Sequence, residues 1–179
     1  MIPSLIPGGG GHQVLPAGAH ILTWPELMEA FAFGRPDEML RLSQLKDLGD
    51  YVRLIGMHGL TVSSVLIDGS FASDKTGPSD IDCSPIIEGA TSSPIAEIRS
   101  HITDNWIAPR DRYKRIPVPG LGRIVSLDIY GVVRIPADHP NYAVGVQNEI
   151  HWRKWWQCEE GSKGTATKGY VEVILDAAF

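Results

Sequence analysis

The residues best suited to do chemistry are Asp80 and Asp82, separated by Ile81 in the run Pro78-Ser79-Asp80-Ile81-Asp82. Side chains on an extended strand alternate between faces, so the two aspartates point one way and Ile81 points into a core. Two carboxylates side by side repel and raise each other's pKa unless something cationic sits between them. A divalent metal meets that need, and an oxygen-only ligand set favours Mg²⁺ or Mn²⁺ over zinc. Just upstream, the apolar run Val65-Leu66-Ile67 ends in Asp68-Gly69-Ser70. Gly69 lets the backbone approach a phosphate closely, and Ser70 offers it a hydroxyl and an amide.

A third acid stands further along the chain. Asp128 is embedded in Ile124-Val125-Ser126-Leu127-Asp128-Ile129-Tyr130-Gly131-Val132-Val133, which is dense in β-branched residues and reads as a central strand. A lone aspartate in such a run is costly unless it is paired or bound to metal. Alternation puts Ser126 and Tyr130 on the same face as Asp128, where they can help order a site.

Gly69-Ser70, a turn-rich loop, Asp80-x-Asp82 and a third acid on a later apolar strand together resemble the DNA polymerase beta-like nucleotidyltransferase superfamily. Its small members include the minimal nucleotidyltransferases of bacterial toxin–antitoxin systems. The longer string Asp68-Gly69-Ser70-Phe71, Lys75, Pro78-x-Asp80-Ile81-Asp82 is similar to an uncharacterised group of small bacterial and prophage proteins in that superfamily. That narrower resemblance runs from Val14-Leu15-Pro16-x-Gly18-x-His20 to Lys168-Gly169.

The resemblance implies an α/β (α+β) fold, a mixed β-sheet with helices packed mainly on one face and the third acid on the strand next to the first pair. It implies a metal-dependent nucleotidyltransferase that moves a nucleoside monophosphate from an NTP, such as ATP, to a protein or RNA hydroxyl, in a toxin–antitoxin or phage-defence setting. Asp80 and Asp82 would bridge two Mg²⁺ (or Mn²⁺) ions, and Asp128 would hold the one beside the attacking hydroxyl. Gly69, Ser70 and Lys75 would hold the β- and γ-phosphates. Lys168 is either a further phosphate contact or a solvated lysine at a turn. A small-molecule acceptor is open alongside protein and RNA. The rival reading is a non-catalytic protein of the same fold, antitoxin-like or nucleotide-sensing, that works by docking.

The elements that must position these residues are legible in outline. Residues 1–22 are Pro/Gly-rich and read as an extended lead-in to a single domain over 23–179. Gly8-Gly9-Gly10-Gly11 follows no strand and lacks the Gly-Lys-Ser/Thr ending of a phosphate loop. Thr23-Trp24-Pro25-Glu26 carries a capping box that predicts a helix to about Phe33. A longer helix follows Pro36, with Met39, Leu42, Leu45, Leu48, Val52 and Ile55 as its stripe against a sheet and with Arg41 and Lys46 as solvated charges. Gly56 and Gly59 end it before a strand over Thr61 to Asp68. The strand after Asp82 runs through Cys83 to Ile87. Pro85 predicts that it frays or lies at an edge, and Cys83 alternates away from the acids as a buried small residue. A third helix begins at Ser92-Ser93-Pro94, a helix around Glu149 to Trp156 brings its tryptophans to the core as a lid, and Tyr170 to Leu175 is the last strand.

Composition sets the remaining bounds. The 179 residues, 43% hydrophobic and 21% charged, suit one ordinary globular domain. A net charge of −5 opposes general attraction to nucleic acid, so any such binding needs a local patch. The most basic stretch holds Arg110, Arg112, Lys114 and Arg115 around Tyr113. It is either a solvated loop or a cationic lining for the triphosphate or acceptor groove. Two cysteines, no signal-peptide pattern and no apolar run of membrane-spanning length lead us to expect a cytoplasmic protein without membrane contact.

Overall fold

A computed structural model of the chain describes residues 2–57, 59–88, 126–159 and 164–175. The order of elements among them is β1 (Ile6–Pro7), β2 (Gln13–Val14), β3 (Gly18–Thr23), α1 (Trp24–Phe31), α2 (Glu38–Met57), β4 (Thr61–Asp68), β5 (Ile81–Glu88), β6 (Leu127–Ile129), β7 (Val132–Arg134), α3 (Tyr142–Trp155) and β8 (Gly169–Ile174). β1 and β2 make a small hairpin of their own. The main sheet runs β3-β8-β4-β5-β6, with β7 also paired to β5. It is mixed: β3 is parallel to β8, β5 is parallel to β6 and β7, and β4 is antiparallel to both its neighbours. This is an α+β fold with helices packed against a mixed sheet, as expected.

Strict alternation along the strands builds two different faces. Val65, Ile67, Ile81, Cys83, Leu127, Val171 and Val173 point toward α1 and α2, where they pack with Leu27, Phe31, Leu45, Leu48 and Ile55. The intervening positions Leu66, Ile86, Val132 and Tyr170 meet Trp156, at the end of α3, with Tyr130 and Trp152 against them. So α1 and α2 cover one face and α3 joins the other. The tryptophan lid lies over that second face, with Trp156 buried and Trp155 half out in solvent.

The first helix starts as its capping box requires. The Thr23 amide donates to Glu26 Oε2 at 2.8 Å and the Glu26 amide to Thr23 Oγ1 at 3.4 Å. In α2, Leu45, Leu48, Val52 and Ile55 are buried as their spacing predicts, but Met39 is 79% exposed. Lys46 is solvated and paired with Asp50 at 2.6 Å. Arg41 is not solvated: it is 0% exposed. Its guanidinium donates to Asp37 Oδ2 (3.0 Å) and to the carbonyls of Phe31 (3.0 Å), Phe71 (2.8 Å) and Lys75 (2.6 Å), and stands 5.2 Å from the Phe71 ring centroid. The expectation failed because α2 faces the loop between β4 and β5 as well as the sheet, and a loop presents carbonyls that need donors.

Three further expectations are corrected. Pro85 lies in the interior of β5, opposite Val65. On the other edge β6 pairs with Ile81 to Cys83 and β7 with Ile86 to Glu88, so the missing amide falls in the gap between two partners and breaks no ladder. The described part of the run 124–133, residues 126–133, holds two short strands broken at Tyr130-Gly131, and among the described residues they pair only with β5. The chain also enters the domain before Thr23: β3 is part of the main sheet, and Leu15 is fully buried. Gly169 makes this entry possible, since a Cβ there would stand 2.1 Å from Pro16 O. The helix expected from Ser92 and the basic cluster Arg110, Arg112, Lys114 and Arg115 lie outside the described residues. No helix among the described residues is long and apolar enough to cross a membrane.

Replacing Arg41 by Met keeps its stem but strands an acid and three carbonyls in the interior. Urea unfolding of Arg41→Met should show a loss of about 3 kcal/mol or more, the scale for breaking a buried pair from one side. A loss under ~1 kcal/mol, typical of an exposed pair, would contradict the clamp.

Candidate functional site: an acid row at the end of the sheet

Backbone register brings the acids together. Asp68 of β4 pairs with Asp82 of β5, and Asp82 pairs with Asp128 of β6. Register partners share a face on strands about 4.8 Å apart. The three therefore form a row across the end of the sheet, on the α3 face. Asp80, one residue before β5, is buried and accepts from Ser79 Oγ at 2.9 Å. Of the residues expected to do chemistry, Asp80, Asp82, Asp128, Gly69 and Ser70 are thus gathered at one end of the sheet. Among the described residues, no three His, Cys, Asp or Glu side chains already converge closely enough to cage an ion.

Gly69 is indispensable to this arrangement. Its φ is +69°, and a Cβ on it would stand 1.7 Å from Asp82 Oδ2. The Asp82 carboxylate occupies the space that any other side chain at 69 would need. The turn from β4 into the loop and the middle acid of the row are therefore one packing unit, which is a physical reason for Gly-Ser to precede Asp-x-Asp.

The loop from Ser70 to Ser79 is held from below by α2. Besides the Arg41 bonds, Asp37 Oδ2 accepts from the Gly77 amide at 2.7 Å and Gln44 Nε2 donates to Pro78 O at 2.7 Å. One turn on, Asp47 Oδ2 accepts from the Ser126 amide at 2.9 Å, which ties down the entry to β6. From outside, Gln13 and Asp74 exchange two bonds, Gln13 N to Asp74 Oδ1 at 2.7 Å and Asp74 N to Gln13 O at 3.1 Å. Lys75 has its carbonyl held by Arg41 and its amide by Ser73 Oγ at 3.2 Å, and its side chain is in solvent. Sequence reasoning missed this polar stripe of α2. Its signal was the three- and four-residue spacing of Asp37, Arg41, Gln44 and Asp47, the same period as the apolar stripe beside it.

Lys168, just before β8, is only 14% exposed and its ammonium bonds Asp68 Oδ2. Burial nevertheless outweighs the lysine, and the Asp68 carboxyl is pushed up to about 6. At the other end of the row, the Tyr130 hydroxyl donates to Asp128 Oδ2 at 3.0 Å. Behind the row, burial and then the negative charge of Asp82, Asp128 and Asp80 push the Cys83 thiol well up. Cys83 is fully buried, so it is a core residue and no nucleophile.

Two measurements follow from this geometry. Gly69→Ala should cost about 2 kcal/mol or more, but only about 1 kcal/mol, the left-handed backbone term, when Asp82 is already Ala. Equal costs in both backgrounds would separate Gly69 from the acid row. For Asp68, the folded-state pKa lies above its ordinary 3.8, so the folded chain holds a proton that the unfolded chain has lost. Its contribution favours folding at pH 4 and is lost as pH rises through about 6. Between pH 4 and 7 the stability of wild type should therefore fall relative to that of Asp68→Asn. A relative rise would reverse the assignment.

No curated protein and no solved structure matches the chain. A family defined by sequence matches residues 10–174, from the hairpin through the acid row to the end of β8, and the chain belongs to it: a family of unknown function, DUF6932.

Proposed function

We propose that the protein is a metal-dependent nucleotidyltransferase that transfers a nucleoside monophosphate from an NTP to a hydroxyl acceptor. The observation that carries the reading is the row Asp68–Asp82–Asp128 with Gly69 beneath the Asp82 carboxylate. A turn without a side chain, a serine after it and oxygen-only acids beside it suit a phosphate ester and a hard cation. Asp80, Asp82 and Asp128 would hold Mg²⁺ or Mn²⁺, which when bound acidifies the attacking hydroxyl and offsets charge on the departing pyrophosphate.

The chain's own groups do the rest. The Ser70 hydroxyl and the backbone at Gly69 receive phosphate oxygens, while α2 keeps their loop from moving. Lys168, which stands against Asp68 at one end of the row, and Lys75, which is exposed on the loop, would meet triphosphate charge. The acceptor oxygen bonds to the α-phosphorus as the bond to the β-phosphate oxygen breaks, and its proton leaves through a carboxylate of the row. We favour a protein hydroxyl over RNA as acceptor, since a chain of net charge −5 has little surface for gripping a folded RNA. Two cysteines outside any disulfide agree with a reducing, cytoplasmic compartment.

Thermal melts with Mg²⁺ and each ribonucleoside triphosphate test the reading. Metal and nucleotide together should raise the wild-type melting temperature by roughly 5–10 °C at ligand well above Kd. Either alone should do little, and Asp80→Asn/Asp82→Asn should not respond. An α-³²P label should then pass from the responding nucleotide to a polypeptide in a lysate, resistant to RNase and sensitive to protease. No shift in wild type, or equal shifts in both proteins, favours the docking alternative. Label lost to RNase moves the acceptor to RNA.

A further inference from the structure

Two residues inward from the acid row, the same face carries a second row. Leu66 pairs with Ser84, and Tyr130 stands level with Ser84, its amide donating to Cys83 O at 2.8 Å. The Tyr130 ring lies 4.7 Å from Trp152 and 5.5 Å, edge-on, from Trp156, and the two indoles are 5.6 Å apart. Trp156 is 5% exposed and donates Nε1 to the buried Ser84 hydroxyl at 2.9 Å. Helix α3, which carries Trp152, is itself bound to the sheet: Arg153 donates to both Glu172 oxygens (2.7 and 2.9 Å) and to Tyr170 Oη (3.1 Å). From this locked ring one polar group emerges, and it donates to Asp128 Oδ2 at 3.0 Å.

Packing alone does not call for that hydroxyl, since Phe would fill the same stack. A phenol that donates to a carboxylate fixes one of its oxygens, which is what a ligand to a hard cation needs from its surroundings. Register also decides against the phenol as an attacking group. It stands inward of Asp128, on the opposite side from Asp80, and it is wedged by two indoles. We propose that Tyr130 is a positioning residue: it holds one oxygen of Asp128 from the interior of the sheet and so fixes how that carboxylate is presented to an ion, and α3 sets its place through Trp152 and Trp156. The proposal rests on the reading of Asp128 as a metal ligand.

The test is binding of the Mn²⁺ complexes of ATP, CTP, GTP and UTP to the intact protein, followed by water-proton relaxation. Tyr130→Phe should retain the wild-type near-ultraviolet dichroism and bind the responding complex about tenfold more weakly, the usual scale for losing a group that orients a metal ligand. On an Asp128→Asn background the same change should add no further loss, because the two residues act through one contact. Equal affinity of Tyr130→Phe and wild type, or a full additional loss on Asp128→Asn, overturns the proposal while leaving the acid site standing. If wild type binds none of the four complexes, the nucleotidyltransferase reading falls first and this inference with it. Should Tyr130→Phe fail to fold, Ser84→Ala, which frees only the Trp156 indole, should weaken binding in the same direction by a smaller factor. Unchanged affinity there also overturns the proposal.

Discussion

The buried Arg41 guanidinium is the interaction on which the rest of the structure hangs. It satisfies carbonyls from the end of α1 and from two points of the β4–β5 loop, and it is balanced by Asp37, which also takes the Gly77 amide. An isolated charge in that position would be prohibitively costly, and a loop with unsatisfied carbonyls would be costly too. Each resolves the other. The consequence is that the loop carrying Ser70 and Lys75 does not hang off the sheet but is bolted to the long helix, so α2 sets the distance between that loop and the acid row.

The sheet divides labour between its faces by simple alternation. Positions 65, 67, 81 and 83 close an ordinary apolar core against α1 and α2. The residues between them are acids at the sheet's end, then Ser84 and Tyr130, then aliphatic side chains and the ion pairs that hold α3. In that last layer Arg134 links Glu88 to Glu149, and Arg153 links Glu149 to Glu172. These bonds hold the Glu149 and Glu172 carboxyls below their ordinary range, with arginine hydrogen bonds as the main cause. Charge thus sits at both ends of this face, the acid row at one and the ion pairs at the other, with Ser84, Tyr130 and aliphatic side chains between them. Cys83 shows how sharp the division is: it lies between Asp82 and Ser84 in sequence, yet it is part of the opposite core.

How much of this was legible in the sequence depends on the range of the signal. The capping box at Thr23 and the strand over Thr61–Asp68 are local patterns, and local patterns survive reading from one chain. Asp128 beside Asp82 was approached from the cost of an acid in a β-branched run, but a register is a pairing of distant segments and periodicity cannot supply it. Arg41 was misread because polar residues on a helix are usually solvated, and what reversed that was a loop more than thirty residues away in sequence. Pro85 was misread for a related reason. Proline excludes a strand interior only when a neighbour needs its amide, and here the neighbour changes from β6 to β7 at that point.

That change of partner also explains why the acid row sits where it does. A single long strand alongside β5 would have needed the amide that Pro85 lacks, and the chain over 126–134 instead makes two short strands that break at Tyr130-Gly131. β6 is left with three residues to hold Asp128 in register. Three residues of ladder are a weak anchor for a half-buried acid. The structure compensates from both ends: the Asp47 carboxylate fixes the Ser126 amide on entry, and the Tyr130 ring is stacked under α3 on exit. Asp128 is therefore positioned less by its strand than by one helix on each face of the sheet, and any motion of either helix relative to the sheet would be felt first at that carboxylate.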